Sequence, residues 1–348
     1  MSTNPLSILG TGGYTLPVVG NEALLSFLGS SHDSAWLVEK TGIQGHSLNL
    51  DCSTGKKRVP EDGWDYALKA ARETMDAAGV SAHAIDHLCL STCTPRNVHF
   101  MADALALHSA LGLRPTAVID QVDGGCGGLA KAFQTAEAHA RGNPDWTALI
   151  IGANDVSSFL TANLDQYRRV PGALLSLEVF SDGAGALVLG PGKDRHALVR
   201  TYCAVDGNHT LVKYKGGGTA YPTNADTLDS HVYVMDGRDV MAQFRPAMGR
   251  TISNLCYDLK ISSDAVSRWY LHQANFRLIQ GFAKDQGISM DRIAHNVDSI
   301  GNTVNASTLL LLHDDLKNGG LPPSPVVFAV VGAGMMEGGA VFMPPVSQ

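Results

Sequence analysis

A chain of 348 residues, 45% of them hydrophobic and 17% charged, is long enough for one large domain or two ordinary ones with a substantial core. Its net charge of -7, with no Lys/Arg run beyond a short cluster, argues against nucleic-acid binding. No apolar stretch reaches the roughly 18 residues of a membrane span, and we expect no signal peptide. The cysteines form no CxxC pair, so we expect no metal site, no disulfide scaffold and a reducing cytoplasm.

Helix-like and strand-like stretches alternate along the chain. Residues 63–79 have the apolar spacing of a helix that ends at Gly79, and residues 85–92 follow as a buried strand. Residues 148–153 and 326–334 predict further buried strands, the second after a proline-rich turn. This alternation predicts an α/β fold.

A faint internal repeat relates the two halves of the chain. Residues 80–91 align with residues 261–272, with matching apolar positions and a few identities. The same offset carries Cys126 to a position at the end of the segment 301–307. We therefore expect the two halves to deliver functional groups from corresponding elements to one shared site.

The segment DGGCGGLAKAFQTA, residues 123–136, places Cys126 between two pairs of glycines. Strand-like residues 116–122 precede it, and apolar side chains at helical spacing follow it as far as Gly142. At a helix N-terminus the dipole and the unpaired N–H groups favour a thiolate, so we expect a lowered thiol pKa. The glycines would permit a sharp turn and leave room for an acyl group. The alternative is a small residue in a tight glycine turn.

Two other residues could assist a cysteine nucleophile. His272 stands at the end of a predicted strand, just before an amphipathic helix within residues 270–287. Asn302 lies in a Gly-containing loop before a helix and could equally be an N-cap or turn residue. A nucleophile needs a partner base or charge-stabilising donors, but spacing alone does not select these two residues.

The chain resembles the thiolase superfamily, specifically β-ketoacyl-acyl-carrier-protein synthase III and its secondary-metabolic relatives. The shared motifs are ILGTGGYTLP, AWLVEKTGI, the Cys126 segment, FSDGAGALVLG, LHQANFRL, GNTVNAS and VGAGMMEGGAVF. The pair of HQAN with a downstream GNT is the most specific signal. The resemblance implies a thiolase-like fold, in which two pseudo-repeated βαβ-rich halves, residues 1–192 and 193–348, form a five-layered αβαβα arrangement.

The resemblance also implies the reaction. In that family the cysteine, here Cys126, takes an acyl group from a thioester. His272 and Asn302 would then hold the thioester carbonyl of a malonyl unit while it loses carbon dioxide, and the enolate would attack the acyl-cysteine. The backbone N–H groups of Cys126 and Ala333 would form a second oxyanion site, although the family usually has glycine at the latter position. No metal or cofactor is implied beyond thioesters of coenzyme A or an acyl carrier protein, and a cytoplasmic homodimer is expected.

The residues expected to bind the coenzyme A or pantetheine arm depart from the family pattern. Trp36 matches the aromatic residue that stacks on adenine. Lys40 stands where the family usually has arginine, and it lacks the planar guanidinium that stacks on adenine and binds phosphate. Arg238 stands where an asparagine near the pantetheine arm is usual. Asn275 belongs to the HQAN motif, and Arg277 keeps a basic group at the tunnel mouth.

Two further positions are less basic than the family pattern, Gln44 and Ala242. An acidic carrier protein is steered by positive charge, so we expect a weakened docking surface. This expectation favours a dedicated synthase of polyketide-type or fatty-acid-type specialised biosynthesis over housekeeping fatty-acid initiation.

Residues 157–179 are longer than their counterpart in the fatty-acid enzymes. We expect an extended loop or short helix there that could reshape the acyl pocket. Arg168 and Arg169 within it could contact a phosphate group, or they could simply be solvated. Phe100 matches a residue that reaches the partner subunit's acyl tunnel, and a core phenylalanine is an equal alternative.

Rival readings remain. A degradative thiolase needs a second cysteine in its C-terminal loop, but the last cysteine here is Cys256, and the GFGPG loop of chalcone-type synthases is absent. An acyltransferase that moves an acyl group to a hydroxyl, amine or carrier without decarboxylation stays open, because Asn302 favours condensation without proving it. A non-catalytic partner subunit would be expected to lose the Cys, His and Asn, and all three are present.

Overall fold

The structure, a computed structural model, describes residues 6–207 and 211–345. Within these residues the strands are β1 (Leu6–Tyr14), β2 (Val18–Gly20), β3 (Gly45–Ser47), β4 (His87–Ser91), β5 (Val118–Val122), β6 (Ala148–Asn154), β7 (Gly183–Pro191), β8 (Ala197–Val205), β9 (Val212–Lys213), β10 (Val234–Met235), β11 (Arg268–Leu271), β12 (Val326–Val331) and β13 (Met336–Met343).

Helices alternate with these strands, as the sequence predicts. They are α1 (Asn21–Leu28), α2 (Ser34–Thr41), α3 (Gly63–Ala78), α4 (Ala102–Leu111), α5 (Gly128–Ala140), α6 (Ser157–Ala162), α7 (Leu164–Arg169), α8 (Leu174–Val179), α9 (Gly237–Cys256), α10 (Phe276–Gln286), α11 (Val297–Ile300) and α12 (Ser307–Lys317). None of the helices in the described ranges is both long and apolar enough to cross a membrane.

The main sheet has nine strands in the order β11-β12-β13-β8-β1-β7-β6-β4-β5. Among the described residues, the first-half strands meet the second-half strands where β1 pairs with β8, through Ser7 and Ala197. Strand β4 is parallel to both β5 and β6, and β11 is parallel to β12. Because parallel strands are covered on both faces, they are continuous apolar runs such as the fully buried β6.

Helices α5 and α12 form the layer between the two halves of the sheet. Phe133 of α5 packs against Phe328 of β12 with ring centroids 5.4 Å apart, and Leu309 and Leu312 of α12 belong to the same buried cluster. Helices α3 and α4 cover the first-half strands from outside, while α9 and α10 cover the second-half strands. The result is the predicted five-layered αβαβα arrangement.

Helix α3 begins and ends at its sequence signals. Asp62 accepts a hydrogen bond from the Trp64 N–H at 2.9 Å, and Asp65 accepts one from the Asp62 N–H at 3.1 Å, a capping box. Gly79 ends the helix in the left-handed conformation, with φ of 65°. The buried stripe that includes Tyr66 faces the sheet.

The internal repeat is visible in the local structure. Residues 82–84 form a 3-10 turn before β4, and residues 263–265 form one before β11. The helices that follow later in each half, α5 and α12, share the central layer. The boundary between residues 192 and 193 stays a prediction.

Residues 157–179 fold into three consecutive short helices, α6, α7 and α8, so the expected extended loop is wrong and the short helix is the better description. The apolar side chains Leu160, Tyr167 and Leu177 explain this, because they are buried against α1 in one cluster. A segment that buries apolar side chains at intervals of a turn or more favours helices over a solvated loop.

Candidate active site

A cavity of about 530 Å³ brings together Cys126, His272 and Asn302. Each residue comes from a different element: the turn before α5, the end of β11, and the loop before α12. The cavity walls are mostly apolar and include Leu175, Val179, Phe180, Leu211, Val240, Met241, Phe244, Leu278 and Met335. The predicted residues Trp36, Lys40, Arg238, Asn275 and Ala333 also line it.

Cys126 lies in a 3-10 turn, Gly125–Gly127, that leads directly into α5. Only Gly125 of the flanking glycines has a positive φ, of 52°. A Cβ on Gly127 would lie 2.5 Å from the Met336 carbonyl oxygen, and one on Gly128 would lie 2.3 Å from Ser91 Oγ. These two glycines therefore allow close packing behind the cysteine. The prediction that the four flanking glycines leave room for an acyl group stays a prediction.

A second glycine turn packs against the first. A Cβ on Gly332 would lie 2.2 Å from the Gly127 nitrogen and 3.0 Å from the Cys126 nitrogen, and one on Gly125 would lie 3.2 Å from the Ala333 nitrogen. The peptide N–H groups of Cys126 and Ala333 thus belong to two turns in direct contact. The sequence missed the part played by Gly332, although its position just after the buried strand β12 was a possible signal.

The Cys126 thiol lies in the wall of the cavity, closely surrounded by protein. Burial raises the pKa of this thiol to about 12, while its own backbone N–H acts weakly in the opposite direction. The prediction of a lowered pKa is wrong. The regular helix α5 starts only at Gly128, and the helix-dipole effect falls off within the first turn, so desolvation of the charged form prevails.

His272 continues the β11 ladder one residue beyond the strand, because its backbone N–H donates to the Ala329 carbonyl at 2.8 Å. Its side chain is 5% exposed, and burial lowers the pKa of the imidazole to about 4. The ring is therefore neutral at neutral pH and carries one N–H and one acceptor nitrogen. The ring lines the cavity, where its N–H can donate to a bound molecule.

Asn302 is held on both sides by backbone hydrogen bonds. Its N–H donates to the Val179 carbonyl at 3.0 Å, and its carbonyl accepts from the Ser181 N–H at 2.8 Å. Its side-chain Oδ1 accepts from the Val304 N–H at 2.8 Å, while Nδ2 makes a long 3.5 Å contact with the Ala274 carbonyl. Because Oδ1 is occupied, Nδ2 is the group available to donate into the cavity. Asn302 is thus a turn residue as well as a cavity residue.

Val304 carries backbone strain beside this asparagine. Its φ is 51°, a left-handed conformation that costs a β-branched residue on the order of 1–3 kcal/mol. Strain of this kind persists where the surroundings over-determine it, and it clusters at functional sites. Nothing in the sequence pattern pointed to Val304.

Two of the basic residues predicted at the mouth of the cavity, Lys40 and Arg277, make contacts within the protein. Lys40 Nζ lies 2.7 Å from Glu39 Oε1. Arg277 does not line the cavity, because its guanidinium donates to the Val38 and Glu39 carbonyls at the end of α2. Arg238 lines the cavity from the start of α9.

The remaining predicted residues are placed as follows. Asn275 caps α10, and its Oδ1 accepts from the Leu278 N–H at 2.8 Å. Arg168 donates to the Leu28 and Phe27 carbonyls, Arg169 pairs with Asp229, and neither lines the cavity. Phe100 is 90% exposed, so the alternative of a core phenylalanine is wrong.

Comparisons with known proteins agree with this arrangement. The family profile described as 3-oxoacyl-acyl-carrier-protein synthase III, C-terminal, matches residues 256–343, which include His272 and Asn302. A β-ketoacyl-acyl-carrier-protein synthase III of Paramagnetospirillum magneticum is 32% identical over 96% of this chain and 97% of its own. The chain belongs to the β-ketoacyl-acyl-carrier-protein synthase III family. It is therefore a condensing enzyme of the acyltransferase class.

Solved structures show that the family fold is shared along the chain. The 3-oxoacyl-acyl-carrier-protein synthase III of Pseudomonas aeruginosa superposes with a TM-score of 0.81 at 23% identity, covering 99% of each chain. A priming β-ketosynthase from the R1128 polyketide pathway gives 0.80 at 21% identity, covering 99% of this chain and 98% of that one. The predicted thiolase-like fold is confirmed.

Proposed function

We propose that Cys126 accepts an acyl group from a thioester and that His272 and Asn302 then promote decarboxylative condensation with a malonyl-type thioester. The observation that carries this proposal is the convergence of the three side chains on one cavity from three separate elements. Within it, Asn302 offers its Nδ2 and the neutral His272 offers a ring nitrogen, which suits donors to a developing enolate.

In the loading step the sulfur of Cys126 attacks the thioester carbonyl. The carbon–sulfur bond to the donor breaks, and the proton of the cysteine thiol leaves with the donor thiol, so the products are acyl-cysteine and a free thiol. The negative oxygen of the tetrahedral intermediate would be stabilised by the N–H groups of Cys126 and Ala333. The close contact of their two turns supports this assignment, because preorganised donors lose no reorganisation energy during reaction.

In the condensation step the malonyl carboxylate leaves as carbon dioxide, and its electron pair forms an enolate. The enolate oxygen would accept hydrogen bonds from His272 and from Asn302 Nδ2. The enolate carbon then attacks the acyl-cysteine carbonyl and expels the Cys126 sulfur, which takes a proton from solvent. A β-ketoacyl thioester and the free enzyme result. A neutral imidazole can fill this role, since it keeps one ring N–H that donates a hydrogen bond to the enolate oxygen.

The same proposal extends to the biosynthetic context. We expect a specialised pathway of polyketide or fatty-acid type, because the cations at the mouth are largely engaged: Lys40 pairs with Glu39, and Arg277 binds carbonyls. An acidic carrier protein depends on positive charge for steering. Helix α8 also presents Leu175 and Val179 to the cavity, so the segment 157–179 helps shape the space for the acyl group.

The functional unit in this proposal is a homodimer. Phe100 is 90% exposed, with exposed Val98, Met101 and Leu105 close by in the chain, and an apolar cluster of this kind on a soluble chain often marks an interaction site. Phe100→Asp should lower the apparent mass in analytical ultracentrifugation by weakening association. An unchanged mass for Phe100→Asp would remove this part of the proposal.

Intact-protein mass spectrometry after incubation with a panel of acyl thioesters tests the reaction. Cys126 should gain the acyl mass and Cys126→Ala should not, whereas the control Cys93→Ala should load normally. Cys93 is a stringent control because its thiol is half-buried, as that of Cys126 is, and lies near enough to Cys126 for the two to interact electrostatically. Acylation without carbon dioxide release from any malonyl thioester would favour the simple acyltransferase, and no acylation at Cys126 would refute both.

A further inference from the structure

The indole of Trp36 is covered on one face by the imidazole of His32. The two ring centroids are 3.5 Å apart and the rings are nearly parallel, at 4°. Trp36 lines the cavity and His32 does not. The indole therefore lies between the imidazole and the cavity, and part of its surface faces the cavity.

A buried carboxylate fixes the imidazole in this position. Glu178, at the end of α8, is 2% exposed, and its Oε2 lies 2.8 Å from His32 Nδ1. Its Oε1 accepts a hydrogen bond from Ser30 Oγ at 2.6 Å, and Ser30 Oγ in turn accepts one from the His32 N–H at 2.9 Å. Both carboxyl oxygens are thus hydrogen-bonded, as buried polar atoms require, and the result is a closed hydrogen-bonded group of three residues.

The main chain of Trp36 is fixed as well. Its N–H donates to Asp33 Oδ1 at 2.7 Å, in the N-cap of α2. With the main chain capped and one face of the ring packed, little rotamer freedom is left to the side chain. A side chain that is already ordered loses less entropy when a ligand binds, and a flat aromatic face binds planar heteroaromatic rings by stacking.

We propose that His32 and Glu178 are positioning residues that hold Trp36 as a rigid stacking platform for the nucleotide end of a coenzyme A thioester. This inference rests on the proposed loading reaction. The resemblance already implies adenine stacking on Trp36, and the inference adds the two residues that hold its ring. A carrier-bound or simple thioester presents no purine ring and gains nothing from the platform. His32 and Glu178 lie away from the reacting carbonyl and act only through Trp36.

The test compares donors with and without the nucleotide. The loading of Cys126 is measured with an acyl-coenzyme A and with the same acyl group on N-acetylcysteamine. His32→Ala should raise KM for the coenzyme A thioester about two- to tenfold, the cost of ordering one aromatic side chain. It should leave kcat, and both constants for the short thioester, unchanged. The exposed His83→Ala is the control for surface histidines.

Two further measurements keep the inference falsifiable. Calorimetric binding of free coenzyme A and of pantetheine needs no catalysis, and only coenzyme A should bind less tightly to His32→Ala. Time-resolved fluorescence anisotropy, with Trp36→Phe subtracted, should show faster indole motion in His32→Ala. Equal losses for both ligands, or none for coenzyme A, would overturn the inference. If the wild type does not acylate Cys126, the proposed function is refuted instead. The calorimetric comparison of coenzyme A with pantetheine would then still test whether His32 holds Trp36.

Discussion

The reactivity of the Cys126 thiol should depend on pH in a way set by its burial. A pKa of about 12 leaves a thiolate fraction on the order of 10⁻⁵ near pH 7.5, against on the order of 10⁻¹ for an ordinary thiol. The thiolate of a weaker acid is the better nucleophile, with a Brønsted coefficient of about 0.4–0.5, which returns roughly one and a half powers of ten. Iodoacetamide should therefore alkylate Cys126 about 100-fold more slowly than an unfolded control at this pH.

The shape of the pH profile separates this explanation from simple steric protection. Because the pKa of the folded state lies above that of the unfolded chain, the thiolate fraction and the alkylation rate should rise about tenfold per pH unit from pH 7 to pH 10 without a plateau. Peptide mass spectrometry of the Cys126 peptide measures the rate, and the denatured protein should plateau near its ordinary pKa. His272→Ala should leave the profile unchanged, since burial keeps that imidazole uncharged with a pKa of about 4. A plateau below pH 9 in the folded protein would refute the argument.

Three further predictions concern the machinery around the thiol. Asn302→Ala should slow carbon dioxide release from a malonyl thioester about 100- to 1,000-fold, the usual effect of losing an oxyanion donor, while acyl loading on Cys126 largely survives; equal loss of both steps would indicate a structural role. Gly332→Ala should destabilise the fold by about 1–3 kcal/mol and slow loading, because its Cβ would lie 2.2 Å from the Gly127 nitrogen; Gly142→Ala, with nothing within 4 Å of its Cβ, is the matched control in thermal denaturation. Arg238→Ala should raise KM for coenzyme A thioesters about three- to tenfold, as expected for the loss of one typical hydrogen bond, whereas Arg168→Ala should not, and equal effects would place Arg238 outside the binding site.

Much of the fold could be predicted because its signals are local or periodic. The helix over residues 63–79 carries its own cap residues and a stop at Gly79, and the strands at residues 148–153 and 326–334 are apolar runs that match β6 and β12 closely. The repeat of residues 80–91 at 261–272 predicted the equivalence of β4 and β11. In each case the local residue pattern is enough to predict the element, and the long-range packing agrees with it.

Other features depend on contacts that no local pattern encodes. The segment 157–179 became three helices because its apolar side chains are buried against α1, on a distant part of the chain. Arg277 was predicted from its position in the sequence to lie at the tunnel mouth, yet its guanidinium donates to carbonyl groups at the end of α2. The nearby helix end led to the prediction that the pKa of Cys126 is lowered, whereas desolvation by the surrounding protein raises it.

The parts of the site that the sequence predicted least well are those made of backbone. Cysteine, histidine and asparagine can be recognised by their chemistry, but the positions of their donors depend on two glycine turns in contact and on a valine held at a positive φ. A Cβ at Gly127 or Gly332 would meet main-chain atoms, which cannot rotate away as a flexible side chain would. The positions of the N–H donors are therefore set by glycine and valine residues whose side chains take no part in the reaction. A substitution there should disturb the reaction more than its small size suggests, because it moves the N–H donors that the chemistry requires.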